Sequence, residues 1–184
     1  YGESIGKMIH EEKLQGRELK HFYKNFSVLE SAYSNKIDFT VHPSLGQDII
    51  YTNPLCNWEA IGKTSEIDFY KFIDYVSNLE KGVYISAGSA ITSPMIFEKA
   101  LSMARNVTHQ KNNKIKNFLI AVNDIQENKW KWGSGVEPSK DNPAYYLRFC
   151  KTFDRMGSRE MFYIQEDNRV FLTNLYKDLE NLNK

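Results

Sequence analysis

The chain has 184 residues, 41% of them hydrophobic and 26% charged, with a formal net charge of +1. That length can bury a sizeable core, the near-neutral charge argues against a polyanion-binding surface, and no apolar run nears the roughly 18 residues that a membrane span needs. Nucleic acid and membrane are therefore excluded as expected partners, and without a recognisable leader the expected location is cytoplasmic.

The two cysteines, Cys56 and Cys150, lack metal-ligand spacing and read as reduced thiols. His10, His21 and His109 have no partner spacing either, so no metal is expected. No repeat or composition boundary interrupts the chain, which reads as one α/β domain over residues 1–184. It opens on "YGESIGKMIHEEK", without methionine and already in helical rhythm, and is read as the C-terminal part of a longer chain.

In chain order, Ile5 to Glu12 predicts a short helix. Phe22, Phe26, Leu29, Ala32 and Tyr33 predict an amphipathic helix over 18–35. "IDFTVH", 37–42, alternates and is rich in strand formers, so it predicts a strand. Pro43 and Gly46 break it, "QDIIY" begins a short helix, and a polar loop follows. Ser65 caps a predicted helix that turns Ile67, Tyr70, Phe72, Ile73, Val76 and Leu79 inward. "GVYIS", 82–86, is the next strand. Ser93 before Pro94 predicts a helix start, with Ile96, Phe97, Ala100, Leu101 and Ala104 buried and "ARN" closing the helix.

"NFLIAVND", 117–124, is a continuous apolar run ending in an acid, as in a buried parallel strand. A long loop with Trp130 and Trp132 precedes the last strand, "MFYIQ", and a terminal helix presents Val170, Phe171, Leu175, Leu179 and Leu182 inward. The alternation predicts a doubly wound, mostly parallel sheet with helices on both faces.

In such a sheet, ligands sit beyond the carboxyl ends of the strands. Four polar clusters follow predicted strands: His42, Gln47 and Asp48; Gly88, Ser89, Ala90, Thr92 and Ser93; Asn123 and Asp124; Glu166, Asp167 and Asn168. They are expected to converge on one rim. The Gly88–Ser93 loop suits a phosphate or ribose, because small side chains expose backbone N–H groups at a helix N-terminus; a plain tight turn has the same composition. Asp124 and Glu166 either hold ribose hydroxyls or solvate strand ends. His42 is an acid–base candidate or a structural histidine. Lys151 is a nucleophile if desolvated and otherwise a solvated lysine. Trp130 and Trp132 form a lid, stack a flat ligand, or make an oligomer contact.

"DFTVHPSLGQDII", "GVYISAGSAITSPMIFEKALSMARN" and "MFYIQEDNRVFLTNLYKDL", in this order, resemble the deoxyhypusine synthase-like family, and most closely a bacterial branch carrying Gly-Ser-Ala in place of a triple glycine. The resemblance covers nearly the whole chain. It implies NAD as cofactor, a small-molecule amine as substrate, and active sites formed between paired subunits of a homo-oligomer. It implies that Gly88 and Ser89 match the glycine-rich cofactor loop, that Glu166 lies near the nicotinamide ribose, and that Gln47, with Asp48 beside it, stands where the family holds its amine. From their places in the chain, Ala90, Asp124 and Asp167 are added to the expected cofactor site, and His42 and Trp132 to the substrate side. The family's Trp-Gly-Lys nucleophile motif is absent, and Lys151 lies in its region without the motif. The rival expectation is a non-catalytic binding or assembly protein on the same fold.

Overall fold

A computed structural model describes residues 1–110 and 114–182. These form two compact units, Tyr1–Tyr75 and a second from Val76 onward. The division falls inside a helix, where composition has no reason to change. Among the described residues no helix is long and apolar enough to cross a membrane.

The first unit contains helix α1 (Gly2–Glu11), a short antiparallel hairpin of β1 (Lys13–Leu14) and β2 (Arg17–Glu18), helix α2 (Val28–Ser34) and most of helix α3 (Trp58–Ser77). Helix α1 packs on α2 through Gly6, while Gly2, one turn earlier, lies against the Phe39 backbone; both glycines are buried. A methyl group on Gly6 would strike the Leu29 carbonyl oxygen, so glycine is what lets the two backbones approach.

Three expectations fail in this unit. Residues 18–35 are not one helix: Lys24–Phe26 is a 3-10 turn, and α2 starts only after Ser27, whose Oγ accepts the Glu30 N–H at 3.3 Å. Ser27 and Glu30 are the Ser-x-x-Glu start signal, and it outweighs the apolar spacing upstream. Phe22 and Phe26 are accordingly exposed rather than core residues.

Residues 37–42 form no strand and join no sheet. The Val41 N–H donates to Asp68 Oδ2 at 2.8 Å instead of to a neighbouring strand, and the same carboxylate accepts the Gly2 N–H at 3.1 Å. Asp68 is buried; burial pushes its pKa up, but the N-terminal ammonium and these two N–H groups outweigh it, so the carboxyl titrates below its usual range. The predicted start of α3 at Ser65 is also wrong. Asn57 Oδ1 accepts the Ala60 N–H at 2.9 Å and opens the helix, while Ser65 lies within it and donates to the Ile61 carbonyl at 2.7 Å. Ile67 and Tyr70, expected inside, are exposed.

The second unit is built on β3 (Val83–Ala87), β4 (Leu119–Asp124) and β5 (Glu160–Gln165), all parallel and adjacent in chain order. Helix α4 (Thr92–Gln110) crosses from β3 to β4, helix α5 (Arg148–Asp154) from β4 to β5, and helix α6 (Asn168–Leu182) follows β5 and packs against β4. The α/β expectation is met as a three-stranded parallel sheet flanked by helices. Parallel neighbours need a crossover of this kind. No helix is expected between the loop and the last strand, although Phe149, Cys150 and Phe153 of α5 recur at helical spacing and are all buried.

Helix α4 runs past the expected stop at Arg105-Asn106. Its Phe97 is fully buried, stacked on Tyr84 of β3 at 3.8 Å between centroids and flanked by Phe118 and Phe153 at 6.1 and 6.3 Å. These rings form the core against one face of the sheet. The opposite face carries Val83, Ile85 and Phe162, all substantially exposed. The terminal helix buries less than predicted: Phe171 and Leu175 are half-buried, while Val170, Leu179 and Leu182 are exposed.

Candidate functional site at the strand ends

Three of the four predicted polar clusters follow true strands, and all three lie in the second unit. At the end of β3 the chain turns through Gly88, at φ +66°, and its N–H donates to the Asn123 carbonyl of β4 at 3.1 Å. From β4 to β5 the link is the Glu166 N–H, which donates to the Asp124 carbonyl at 3.1 Å. Asn123 is almost wholly buried, and its Nδ2 donates to the Ile164 and Glu166 carbonyls at 3.2 and 2.8 Å. Asn168 closes the ring: its Nδ2 occupies the space that a side chain at Gly88 would need.

Gly88, Asn123, Asp124, Glu166 and Asn168 thus share one rim at the carboxyl ends of parallel strands. Two buried acceptors there, Asn123 Oδ1 and Asn168 Oδ1, meet no donor among the described residues. The sequence placed both asparagines at strand ends but assigned them no role. The missing signal was burial, which turns an ordinary amide into an unsatisfied group.

The β3–α4 loop is preorganised. Ser89 Oγ accepts the Ser93 N–H at 2.9 Å, and Ser93 Oγ lies 2.7 Å from Tyr84 OH and 2.8 Å from Ser86 Oγ. Ser93 is therefore within the first turn of α4, not its cap, and Ser89 does the capping. Ala90 is exposed beside it. Asp124 Oδ1 accepts the Gln126 N–H at 2.9 Å, and Glu166 Oε1 accepts the Asp167 N–H at 2.9 Å. Asp167 faces Arg169, whose Nε and NH2 donate to its two oxygens at 3.0 and 3.1 Å. That pairing holds the Asp167 carboxyl at about 2, so both its oxygens are already occupied by a cation.

His42, Gln47 and Asp48 belong to the first unit and do not end a strand. His42 Nε2 is 2.9 Å from Thr40 Oγ1, and its ring meets Phe72 and Phe69 edge-on; burial lowers its pKa, partly opposed by Asp68. Gln47 is exposed, and Asp48 accepts the Ser44 N–H within its own turn. Lys151 lies on α5 with Nζ 3.7 Å from the centre of the Tyr145 ring, a cation–π contact. Trp132 is buried in the loop after β4. Among the described residues no group of three or more His, Cys, Asp or Glu side chains is arranged to hold a metal.

Cys150 lies fully buried beneath this region. Burial above all, and then the charges of Asp124 and Asp154, push its thiol pKa far up. The native protein is therefore expected to alkylate at Cys56 and spare Cys150, with both reacting after unfolding. Mass analysis after iodoacetamide checks this, and equal native labelling of the two contradicts the assigned burial.

Comparison of the chain with models of known protein families, with curated proteins and with solved structures returns no match.

Proposed function

We propose that the protein is a deoxyhypusine synthase-like, doubly wound dinucleotide-binding protein. In this reading it is a cytoplasmic NAD-dependent enzyme acting on a small amine or related metabolite. The observation that carries the reading is the rim at the ends of β3, β4 and β5. It joins a preorganised small-residue loop at a helix N-terminus, suited to a pyrophosphate, to two buried amide oxygens that meet no donor among the described residues. Ribose hydroxyls and a nicotinamide carboxamide are donors of the kind those oxygens lack. Glu166, exposed at the same edge, is the carboxylate best placed to take a ribose hydroxyl. The exposed apolar residues Val83, Ile85 and Phe162 support a homo-oligomer, because a sheet face of this kind is stabilised by being covered.

A second reading, a non-catalytic binding or assembly protein, is favoured by Lys151. Its ammonium rests on Tyr145, and no Trp-Gly-Lys motif offers a substitute nucleophile.

Thermal melting tests the first reading. NAD at 100 times its dissociation constant adds about 2.7 kcal/mol, enough to raise the melting temperature by several degrees. Glu166→Ala is expected to shrink that rise while leaving the unliganded melting temperature unchanged. A melting temperature indifferent to NAD, NADH and adenine nucleotides rejects the dinucleotide site. A rise without amine-dependent NADH formation leaves the binding protein as the better description.

A further inference from the structure

A second candidate site lies in the same unit, along Glu160–Tyr163 of β5. The segment Asn128–Gly133 runs beside β5 and leaves a cleft of about 560 Å³ against Glu160–Tyr163. That volume is within the range of small-molecule pockets. The wall is held in place rather than loose. Gly133 N–H donates to Asp154 Oδ1 at 2.6 Å, Trp130 Nε1–H to the Val136 carbonyl at 3.3 Å, and Tyr163 OH to the Gln126 carbonyl at 2.7 Å.

Two donors on this wall are buried without an acceptor among the described residues: Trp132 Nε1 and Asn128 Nδ2. Trp132 is only 4% exposed. An indole N–H can only donate, and leaving a buried donor unmade is unfavourable. Two of them lining one cleft call for a ligand oxygen.

The charge around them agrees. Lys129 and Lys131 line the cleft against the single carboxylate of Glu160. Lys129 is paired with Glu127 at 3.0 Å and Glu160 faces Arg159 at 4.0 Å, whereas Lys131 has no ion pair among the described residues. Met161 and Phe162 supply an apolar flank.

We propose that this cleft binds a small carboxylic acid with an apolar body. One carboxylate oxygen accepts from Trp132 Nε1–H, the other from Asn128 Nδ2–H, and Lys131 supplies the counter-charge. The hydrocarbon part lies against Phe162, the exposed apolar side chain of the lining. The site is independent of the dinucleotide reading and stands or falls separately.

The test is titration of the full chain with 3-phenylpropionate, followed by tryptophan fluorescence and calorimetry, with 3-phenylpropanamide as the neutral analogue. Saturable binding of the acid is expected, with the amide at least about tenfold weaker, the size of a lost charge-assisted contact. Trp132→Phe keeps the ring and removes the N–H. It is expected to weaken the acid by about tenfold or more without lowering the melting temperature of the unliganded protein, since it deletes an unsatisfied group. Lys131→Met, at the surface, is expected to weaken the acid likewise and keeps the test valid should Trp132→Phe fold poorly. No saturable binding of the acid, equal affinity for acid and amide, or unchanged affinity in Lys131→Met overturns the proposal.

Discussion

Phe97→Ala is expected to destabilise the second unit by about 3–5 kcal/mol, read as a lowered urea midpoint at unchanged slope. Phe97 is fully buried, its ring stacks on Tyr84, and Phe118 and Phe153 close around it. The hole left by alanine would be lined by β3, by the entry to β4 and by helices α4 and α5, packed on the same face of the sheet. Such walls collapse little, so most of the cavity term remains. A domain's whole stability is about 5–15 kcal/mol, so this one side chain separates a folded unit from a marginal one. Phe97→Leu keeps most of the volume and is expected to lose less. A loss below about 1 kcal/mol for Phe97→Ala would mean that the aromatic cluster is not the core.

Gly88→Val is expected to cost about 2–4 kcal/mol in the same assay, from two sources. The backbone there sits at φ +66°, which strains a β-branched residue, and the new side chain would run into Asn168 Nδ2. The sources are separable. In a Gly88→Ala background, Asn168→Ala removes the collision but not the backbone strain, so the double variant is expected to recover only part of the loss. Full recovery would deny the strain, and no recovery would deny the collision. The composition of the loop predicts that this glycine is small to let a ligand approach the backbone. Its space is taken by Asn168, so Gly88 is a structural requirement of the rim, and Glu166 is the better residue for testing binding.

The legible parts of the protein share a local cause. "NFLIAVND" must bury both faces, and an apolar run of strand length ending in Asn123-Asp124 has few other ways to do so. Likewise Ala100, Leu101 and Ala104 repeat on the period of α4 and are buried. The polar tips of β3, β4 and β5 were visible for the same reason, since each follows directly on such a run. The illegible parts depended on distant partners. Residues 37–42 have the composition of a strand, yet the Val41 N–H is taken by Asp68, 27 positions away, and a donor bonded to a side chain cannot pair in a sheet. Phe22 and Phe26 have helical spacing, but the Ser27 cap decides where α2 begins.

The division follows from how far each force reaches. Periodicity and capping act within a turn or two, so the order of residues alone determined the parallel strands, the helix facing them and the polar character of their ends. Only three-dimensional packing decided that Asn123 and Asn168 would hold buried oxygens that meet no donor among the described residues, that Lys151 would lie on Tyr145, and that Trp132 would hide an unmet N–H in a cleft. Whether a polar atom is satisfied depends on atoms brought beside it from elsewhere in the chain, and no spacing rule carries that.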